Sequence, residues 1–108
     1  MSVVLFTVKA SITADQEEAF NRWYNTEHCP ELLQFKGAVS ARRYKAIMGE
    51  DQYQYMAVYE FESVPEYQAY TESKELVDGR AEMAETWKDG GWEIKSRAQY
   101  EEMKTWEK

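Results

Sequence analysis

The stretch that decides the fold is Phe20 to Pro30, F-N-R-W-Y-N-T-E-H-C-P, which contains the only histidine of the chain. Phe20, Tyr24 and His28 recur at every fourth position, and an α-helix stacks such residues on one face. Trp23 lies beside that face. The pattern therefore predicts a helix whose aromatic side ends in an imidazole directed at whatever the helix packs against.

The limits of this helix follow from its flanking residues. Ser11 or Thr13 can cap its start, and we expect it to run to about Thr26. The Cys29-Pro30 pair should end or kink it, because proline disfavours the helical conformation of the residue before it. A second helical region begins near residue 66 and extends to residue 88, and Gly79 is the position at which it could break.

Four further segments have the residue composition of β-strands, and they cover residues 2–9, 38–48, 52–62 and 92–100. One face of the third segment is almost wholly aromatic and consists of Tyr53, Tyr55, Ala57, Tyr59 and Phe61. In the fourth segment, strict alternation puts Arg97 on the face opposite Trp92.

The resulting order, β-α-β-β-α-β, is that of an α+β ferredoxin-like domain with a four-stranded antiparallel sheet. Helices cover such a sheet on one side only. We expect apolar or aromatic residues on both faces, so a second copy of the chain is the simplest cover for the open face and a homodimer is predicted. The length of 108 residues fits one domain over residues 1–108.

Composition excludes several classes of partner. The net charge of −7 disfavours nucleic acid, which requires clustered lysine and arginine. No segment has the roughly 18 continuous apolar residues of a membrane span. The first residues lack a basic region, so we expect no signal peptide. The single cysteine fits a reducing compartment, and a cytoplasmic location is predicted.

Two motifs resemble a known group of proteins. They are Phe20-x-x-Trp23-Tyr24-x-x-x-His28-x-Pro30 and the following run Gly37-Ala38-Val39-Ser40-Ala41-Arg42-Arg43-Tyr44. Together they resemble the EthD-like branch of the dimeric α/β-barrel superfamily, which also includes antibiotic-biosynthesis monooxygenases, muconolactone isomerases and small polyketide cyclases.

This resemblance implies homodimers whose sheets pack face to face, with a pocket between each sheet and its own helices. It implies activity without a metal or an organic cofactor. It also implies that His28 corresponds to the histidine on the first helix of the family, which serves as acid or base in several relatives. The chain departs from the commoner pattern by carrying Cys29 before the proline.

The predicted catalytic residues are His28 and Tyr24. Imidazole exchanges protons near neutral pH, and a phenol can donate a hydrogen bond to a substrate oxygen. The alternative for His28 is a structural histidine bonded to a backbone carbonyl. The residues predicted to bind a small apolar or aromatic substrate are Phe20, Trp23, Tyr53, Tyr55, Tyr59, Trp87 and Trp92.

Other chemistry is weaker in the sequence. Arg42, or Arg43 together with Lys45, could hold an anionic substrate, although solvated or interface salt bridges are the alternative. Cys29 follows His28 directly, and neighbouring helix positions point about 100° apart, so a Cys-His pair cannot form. No metal-ligand spacing is present, and we predict neither metal nor organic cofactor.

Three functions remain open. The first is a cofactor-independent enzyme of isomerase, lyase or cyclase type that acts on a small aromatic or unsaturated carbonyl compound, with His28 transferring a proton. The second is a cofactor-free monooxygenase of an electron-rich aromatic compound, in which Trp87 and Trp92 line the pocket. The third is a non-catalytic protein that binds a metabolite.

Overall fold

The computed structural model describes residues 3–88 and 90–108. Four strands form one sheet: β1 Val4–Ile12, β2 Ala38–Lys45, β3 Tyr55–Phe61 and β4 Trp92–Glu101. Their order in the sheet is β2-β3-β1-β4, and each neighbouring pair is antiparallel.

The helices lie between the first and second strands and between the third and fourth. They are α1 Glu17–Trp23, α2 Cys29–Leu32, α3 Val64–Thr71 and α4 Lys74–Thr86. A short 3₁₀ turn, Ala14–Gln16, precedes α1, and a π-helical turn, Tyr24–His28, joins α1 to α2. The predicted α+β ferredoxin-like arrangement is therefore confirmed.

The core lies between the helices and one face of the sheet. Burial alternates residue by residue along β1, as expected for a strand with one covered face. The buried strand residues are Val4, Phe6, Val8, Ala10, Ile12, Tyr55, Ala57, Tyr59 and Phe61, and they pack against Phe20, Trp23, Tyr24, Leu32, Tyr70 and Met83 from the helical layer. Phe20 and Phe61 have no exposed surface at all.

The other face of the sheet, called the open face below, is mixed in character. Its centre is the row Arg42, Val58, Thr7 and Ala98, one residue from each strand. Arg42 forms an ion pair with Glu60 at 3.2 Å, and Lys9 forms one with Asp51 at 2.7 Å. The prediction of apolar residues on both faces is therefore only partly right, because cations and hydroxyls share this face with Leu5, Met56 and Val58.

Several boundaries differ from the predicted ones. The break in the second helical region lies at residues 72–73 and not at Gly79, because the Ser73 side chain caps a new helix by accepting a hydrogen bond from the Leu76 N–H at 3.1 Å. The third strand starts at Tyr55, so Tyr53 lies in the preceding loop. Position 2, in the predicted first strand, lies outside the described residues.

The helix that carries His28 continues through Pro30. The Cys29 N–H donates to the Tyr24 carbonyl, five residues earlier, where an α-helix would bond four residues earlier. The proline ring would clash in a regular helix with the carbonyl of Thr26, and the wider turn relieves that clash. The helix then resumes as α2 with a bond from the Leu33 N–H to the Cys29 carbonyl at 3.1 Å.

Candidate functional site

The π-helical turn gives His28 an aromatic setting. The imidazole stacks on Trp23 with ring centroids 4.7 Å apart and an angle of 18° between the planes. It meets the Tyr24 ring edge-on at 4.9 Å, and the Tyr59 ring at 6.5 Å. In a regular α-helix, residues five apart point about 140° away from each other. The wider turn therefore makes the contact between Trp23 and His28 possible.

His28 is half-buried and makes no hydrogen bond within the described part of the chain. Its Nδ1 atom is shielded from solvent without a partner. Burial lowers the pKa of His28 to about 4, and the charge of Glu82 only partly offsets this effect. The imidazole is therefore neutral near pH 7. The alternative of a histidine held by a backbone carbonyl does not describe its surroundings.

Two carboxyl groups lie beside the stacked rings. Glu82 on α4 accepts a hydrogen bond from the Trp23 Nε1 at 3.3 Å. A hydrogen bond between Glu82 and Glu31, together with desolvation and neighbouring negative charge, raises the pKa of Glu31 to about 7. This carboxyl pair can therefore hold a proton near neutral pH, close to the histidine.

A partly open cavity of about 50 Å³ borders the imidazole, between the sheet and α4. It is lined by Phe6, Val8, Tyr24, His28, Leu32, Tyr59, Tyr70, Leu76, Gly79, Arg80, Met83 and Arg97. A water molecule occupies roughly 30 Å³ of liquid, so the cavity has room for one or two waters. A substrate of several carbon atoms requires the walls to move apart.

The phenols of the cavity remain protonated. Burial is the main cause that raises the pKa of Tyr24 to about 12, the pKa of Tyr70 to about 12 and the pKa of Tyr59 well above its usual range. They can therefore donate hydrogen bonds at neutral pH.

Cys29 is buried beside one of these phenols. Its Sγ atom lies 3.9 Å from the Tyr59 hydroxyl. Burial raises the pKa of the Cys29 thiol, so it lacks the thiolate character of a nucleophile.

Two arginines line the cavity, and neither is among those predicted to hold an anion. Arg80 comes from α4 and Arg97 from β4. The predicted Arg42 pairs with Glu60 on the open face. The predicted Arg43 donates to the Asn21 side chain at 2.8 Å and lies over the Tyr24 ring, outside the lining of the His28 cavity.

The nine predicted site residues separate into groups. Three of them, Tyr24, His28 and Tyr59, line the cavity together. Trp23 supports the imidazole from outside it. Phe20 and Trp87 pack against each other at 5.4 Å in the core and do not reach the cavity.

The remaining three predicted residues lie elsewhere. The Tyr55 hydroxyl donates to Glu17 at 2.6 Å. Tyr53 borders a surface groove beside Lys9. The Trp92 indole donates to the Trp87 carbonyl at 3.2 Å, and its ring borders a surface depression. These three aromatic residues are not part of the lining of the His28 cavity.

Arg97 faces the cavity because of a β-bulge. Trp92 pairs with Ile12 and Arg97 pairs with Val8, so five steps along β4 match four steps along β1. The extra residue reverses the alternation and brings Arg97 to the same side of the sheet as the buried Val8. Nothing in the sequence signals this bulge, and the predicted alternation had Arg97 on the opposite face from Trp92.

The sequence carried a partial signal for Gly79 and Arg80 as residues of the site. Arg80 lies within the apolar stripe of α4 between Leu76 and Met83, an unusual place for a cation. Gly79 is buried, and a Cβ atom there would lie 3.8 Å from the His28 Cε1. Its lack of a side chain lets α4 pack directly against the imidazole.

Across positions 3–88 and 90–108, His, Cys, Asp and Glu side chains form no group of three or more that could hold a metal ion. In the same part of the chain, each helix is too short or too polar to cross a membrane.

Solved structures with the same fold come from several bacteria. An EthD family protein from Bacillus halodurans is 16% identical with a TM-score of 0.71, over 95% of this chain and 100% of that one. A protein from Shewanella loihica, described as a "putative monooxygenase", is 20% identical with a TM-score of 0.62, over 97% and 99% of the two chains.

A third structure supports the fold class directly. It is a DABB family protein with a ferredoxin-like fold from Mesorhizobium loti, 12% identical with a TM-score of 0.68, over 97% of this chain and 99% of that one. At such identities the likeness shows the fold alone. At that level the resemblance to the EthD-like branch is confirmed.

No curated protein sequence matches the chain significantly. A family model, described as a domain of unknown function, matches residues 3–100. This match covers nearly the whole chain. The chain therefore belongs to the DUF4286 family.

Proposed function

We propose that the chain is a cofactor-independent enzyme in which His28 removes a proton from a small aromatic or unsaturated carbonyl compound. One observation carries this proposal: a neutral imidazole without a hydrogen-bond partner among the described residues borders an apolar cavity that is also lined by three protonated phenols. A base, a hydrogen-bond donor for an oxyanion and an apolar wall are the parts that enolisation requires.

The proposed step begins with the imidazole neutral, as its lowered pKa ensures above about pH 4. His28 takes a proton from the carbon next to the carbonyl, and the electron pair moves to the carbonyl oxygen. The Tyr24 or Tyr59 hydroxyl donates to that oxygen. A pKa near 4 makes His28 a weak base, but the nearby Glu82 charge and the enolate itself favour the imidazolium as it forms.

The protonated His28 then returns its proton. Delivery to a different carbon gives isomerisation, and departure of a leaving group from the enolate gives elimination. Attack of the enolate on a second carbonyl gives ring closure. The geometry serves the common first step, so the proposal covers these three outcomes as one reaction class.

Proton exchange tests the common step without knowledge of the natural substrate. We expect the protein to accelerate exchange of the protons next to the carbonyl of 4-phenyl-2-butanone with deuterium in D₂O, measured by proton NMR. His28→Ala should lower this rate by about a hundredfold or more. Tyr53→Phe, at a surface phenol outside the cavity, is the matched control and should exchange at the wild-type rate.

Equal exchange by wild type and His28→Ala would remove the proposed role of the histidine. Circular dichroism of the His28→Ala variant separates loss of the base from loss of the fold. Tight binding of a carbonyl compound without any exchange would favour the third function, a metabolite-binding protein.

A cofactor-free monooxygenase is the second candidate, and the fold shared with the Shewanella loihica protein favours it. The same deprotonation would give a carbanion that transfers one electron to dioxygen, and the resulting substrate radical and superoxide would combine to form a C–O bond. Protonation would give a substrate hydroperoxide, and loss of water from it would break the O–O bond and leave one oxygen atom as a new carbonyl. Oxygen uptake equal to substrate loss in an electrode chamber would support this function. Unchanged substrate loss under nitrogen would exclude it in favour of isomerase, lyase or cyclase chemistry.

We also propose that a second copy of the chain covers the open face. Apolar Leu5, Met56 and Val58 lie between two large exposed side chains on this face, Tyr44 at 48% and Tyr100 at 57% exposure. Large exposed aromatics around an apolar centre are typical of a protein interface. We further propose that residues 1–108 form one domain. The single cysteine of the chain favours a cytoplasmic location.

The mass in solution tests this assembly. We expect light scattering after size-exclusion chromatography to give twice the 12.8 kDa of one chain. Tyr44→Glu combined with Tyr100→Glu should give the mass of one chain. Ile47→Glu, at a loop side chain with 86% exposure, is the control and should stay dimeric. A wild-type protein with the mass of one chain at micromolar concentration would contradict the proposal.

A further inference from the structure

The two arginines that line the His28 cavity differ from the other arginines. The chain has five, and Arg22, Arg42 and Arg43 each bond to an acceptor side chain: Glu18, Glu60, and Asn21 with Asn25. Within residues 3–88 and 90–108, the side chains of Arg80 and Arg97 form neither an ion pair nor a hydrogen bond.

Arg80 and Arg97 come from different elements and border the same cavity. Arg80 follows Gly79, the residue at which α4 packs against His28. Arg97 is turned to this side of the sheet by the bulge in β4. The charge of Arg97 acts on Tyr24 and that of Arg80 acts on Tyr70, and both phenols line the same cavity.

The rest of the cavity lining defines what would accompany a negative charge. Phe6, Val8, Leu32, Leu76 and Met83 supply apolar walls. Arg80 and Arg97 are exposed residues whereas His28 is half-buried, so the two arginines lie nearer the mouth of the cavity than the imidazole. Guanidinium groups match the geometry of a carboxylate, with two parallel N–H donors.

We propose that the ligand of this pocket carries a carboxylate on a small apolar body, and that Arg80 and Arg97 bind this carboxylate at the mouth. This inference rests on the proposed function, because it names the substrate class of the same site. The apolar body enters between α4 and the sheet as the Met83 and Leu76 side chains move aside, and it thereby approaches His28. Methionine is well suited to such movement, since its side chain is unbranched and flexible.

Benzoate and benzamide provide a direct test, because they share shape and differ in charge. Isothermal titration calorimetry at neutral pH should give a Kd for benzoate at least about tenfold lower than for benzamide. Arg80→Gln and Arg97→Gln should each remove most of this preference by raising the Kd for benzoate toward that for benzamide. Added salt should weaken benzoate binding and leave benzamide unaffected.

Arg22→Gln is the matched control, since it removes an exposed arginine that pairs with Glu18 away from the cavity. It should keep the preference for benzoate. Equal affinity for the two compounds, no binding of benzoate, or an unchanged preference in both arginine variants would overturn the inference.

The measurement also separates this inference from the proposed function. Binding needs no proton transfer, so His28→Ala should still prefer benzoate even if deuterium exchange shows no role for the histidine. Conversely, exchange that depends on His28 together with indifference to charge would keep the proposed function and reject the carboxylate.

Discussion

The two faces of the sheet contrast sharply although the same four strands build both. The covered face holds Phe6, Tyr59 and Phe61 against the helices, with the last two at 1% and 0% exposure. The open face places Thr7 and Arg42 on either side of Val58. Successive residues of a strand point to opposite faces, so alternate positions of one sequence specify the two surfaces.

The difference teaches where chemistry can occur in this fold. Polar groups between the covered face and the helices are largely shielded from water, which shifts the pKa of His28 and Tyr24 far from their usual values. On the open face, Arg42 and Glu60 neutralise each other as an ion pair near solvent. We therefore propose that proton transfer occurs on the covered side of the sheet and that a second chain associates with the open face.

The largest expected effect compares one residue from each face. Phe61→Ala should lower the free energy of unfolding by about 4 kcal/mol, because it leaves a cavity in the aromatic core. Val58→Ala, on the same strand but on the open face, should cost about 1–2 kcal/mol as it removes two methyl groups. Urea denaturation of both variants measures the difference.

The same two variants also test the proposed dimer. If a second copy covers the open face, the loss of unfolding free energy caused by Val58→Ala should depend on protein concentration. The loss caused by Phe61→Ala should be the larger of the two at any concentration, because Phe61 lies in the subunit core. Equal costs for the two substitutions would contradict the distinction between the faces.

The pH dependence of stability tests whether the His28 imidazole is shielded from water. His28 has a pKa of about 4 in the folded chain and about 6.5 when unfolded, so both states are neutral above pH 6.5. As the pH falls toward 4 the unfolded chain takes up the proton first, and stability is lost. Allowing for partial solvent access, wild type should lose about 2 kcal/mol more than His28→Gln across this range.

Chemical denaturation at a series of pH values checks this expectation. His28→Gln is the suitable reference because it keeps a polar side chain that does not titrate, while all other acidic groups remain in both proteins. Parallel stability curves for the two proteins between pH 7 and 4 would mean that the imidazole is as well solvated as in an unfolded chain.

The smallest effect concerns the contact between α4 and the imidazole. Gly79→Ala should raise the free energy of unfolding by about 0.5–1 kcal/mol, because alanine is the better helix former. The new Cβ would meet His28 Cε1 at 3.8 Å, an ordinary contact distance. Ala81→Gly, at an exposed position of the same helix, is the matched reverse change and should destabilise by about 1 kcal/mol.

The two substitutions should differ in a second way. The methyl group at position 79 enters the cavity lining, so Gly79→Ala should weaken benzamide binding, whereas Ala81→Gly should not change it. Thermal melting and calorimetry together measure both properties. A destabilised Gly79→Ala protein would mean that α4 lies closer to His28 than an added methyl group allows.

Much of the candidate site was predictable from local pattern. The recurrence of Phe20, Tyr24 and His28 indicated which residues meet the sheet, and the aromatic face of β3 supplied Tyr59. The prediction missed the contact between Trp23 and His28, because helical spacing assumes a constant number of residues per turn. Pro30 was the available signal, since a proline inside a helix forces a local change in geometry.

By itself, the sequence determined the type and order of the elements and the buried aromatic face of β3, because those properties repeat with the period of each element. Only the tertiary structure decided which polar groups share the cavity. Arg97 joins Arg80 there through one extra residue in β4, and such a shift in register reverses the faces of a strand without changing its composition. Contacts between residues distant in sequence depend on register and turn geometry, which no local pattern records.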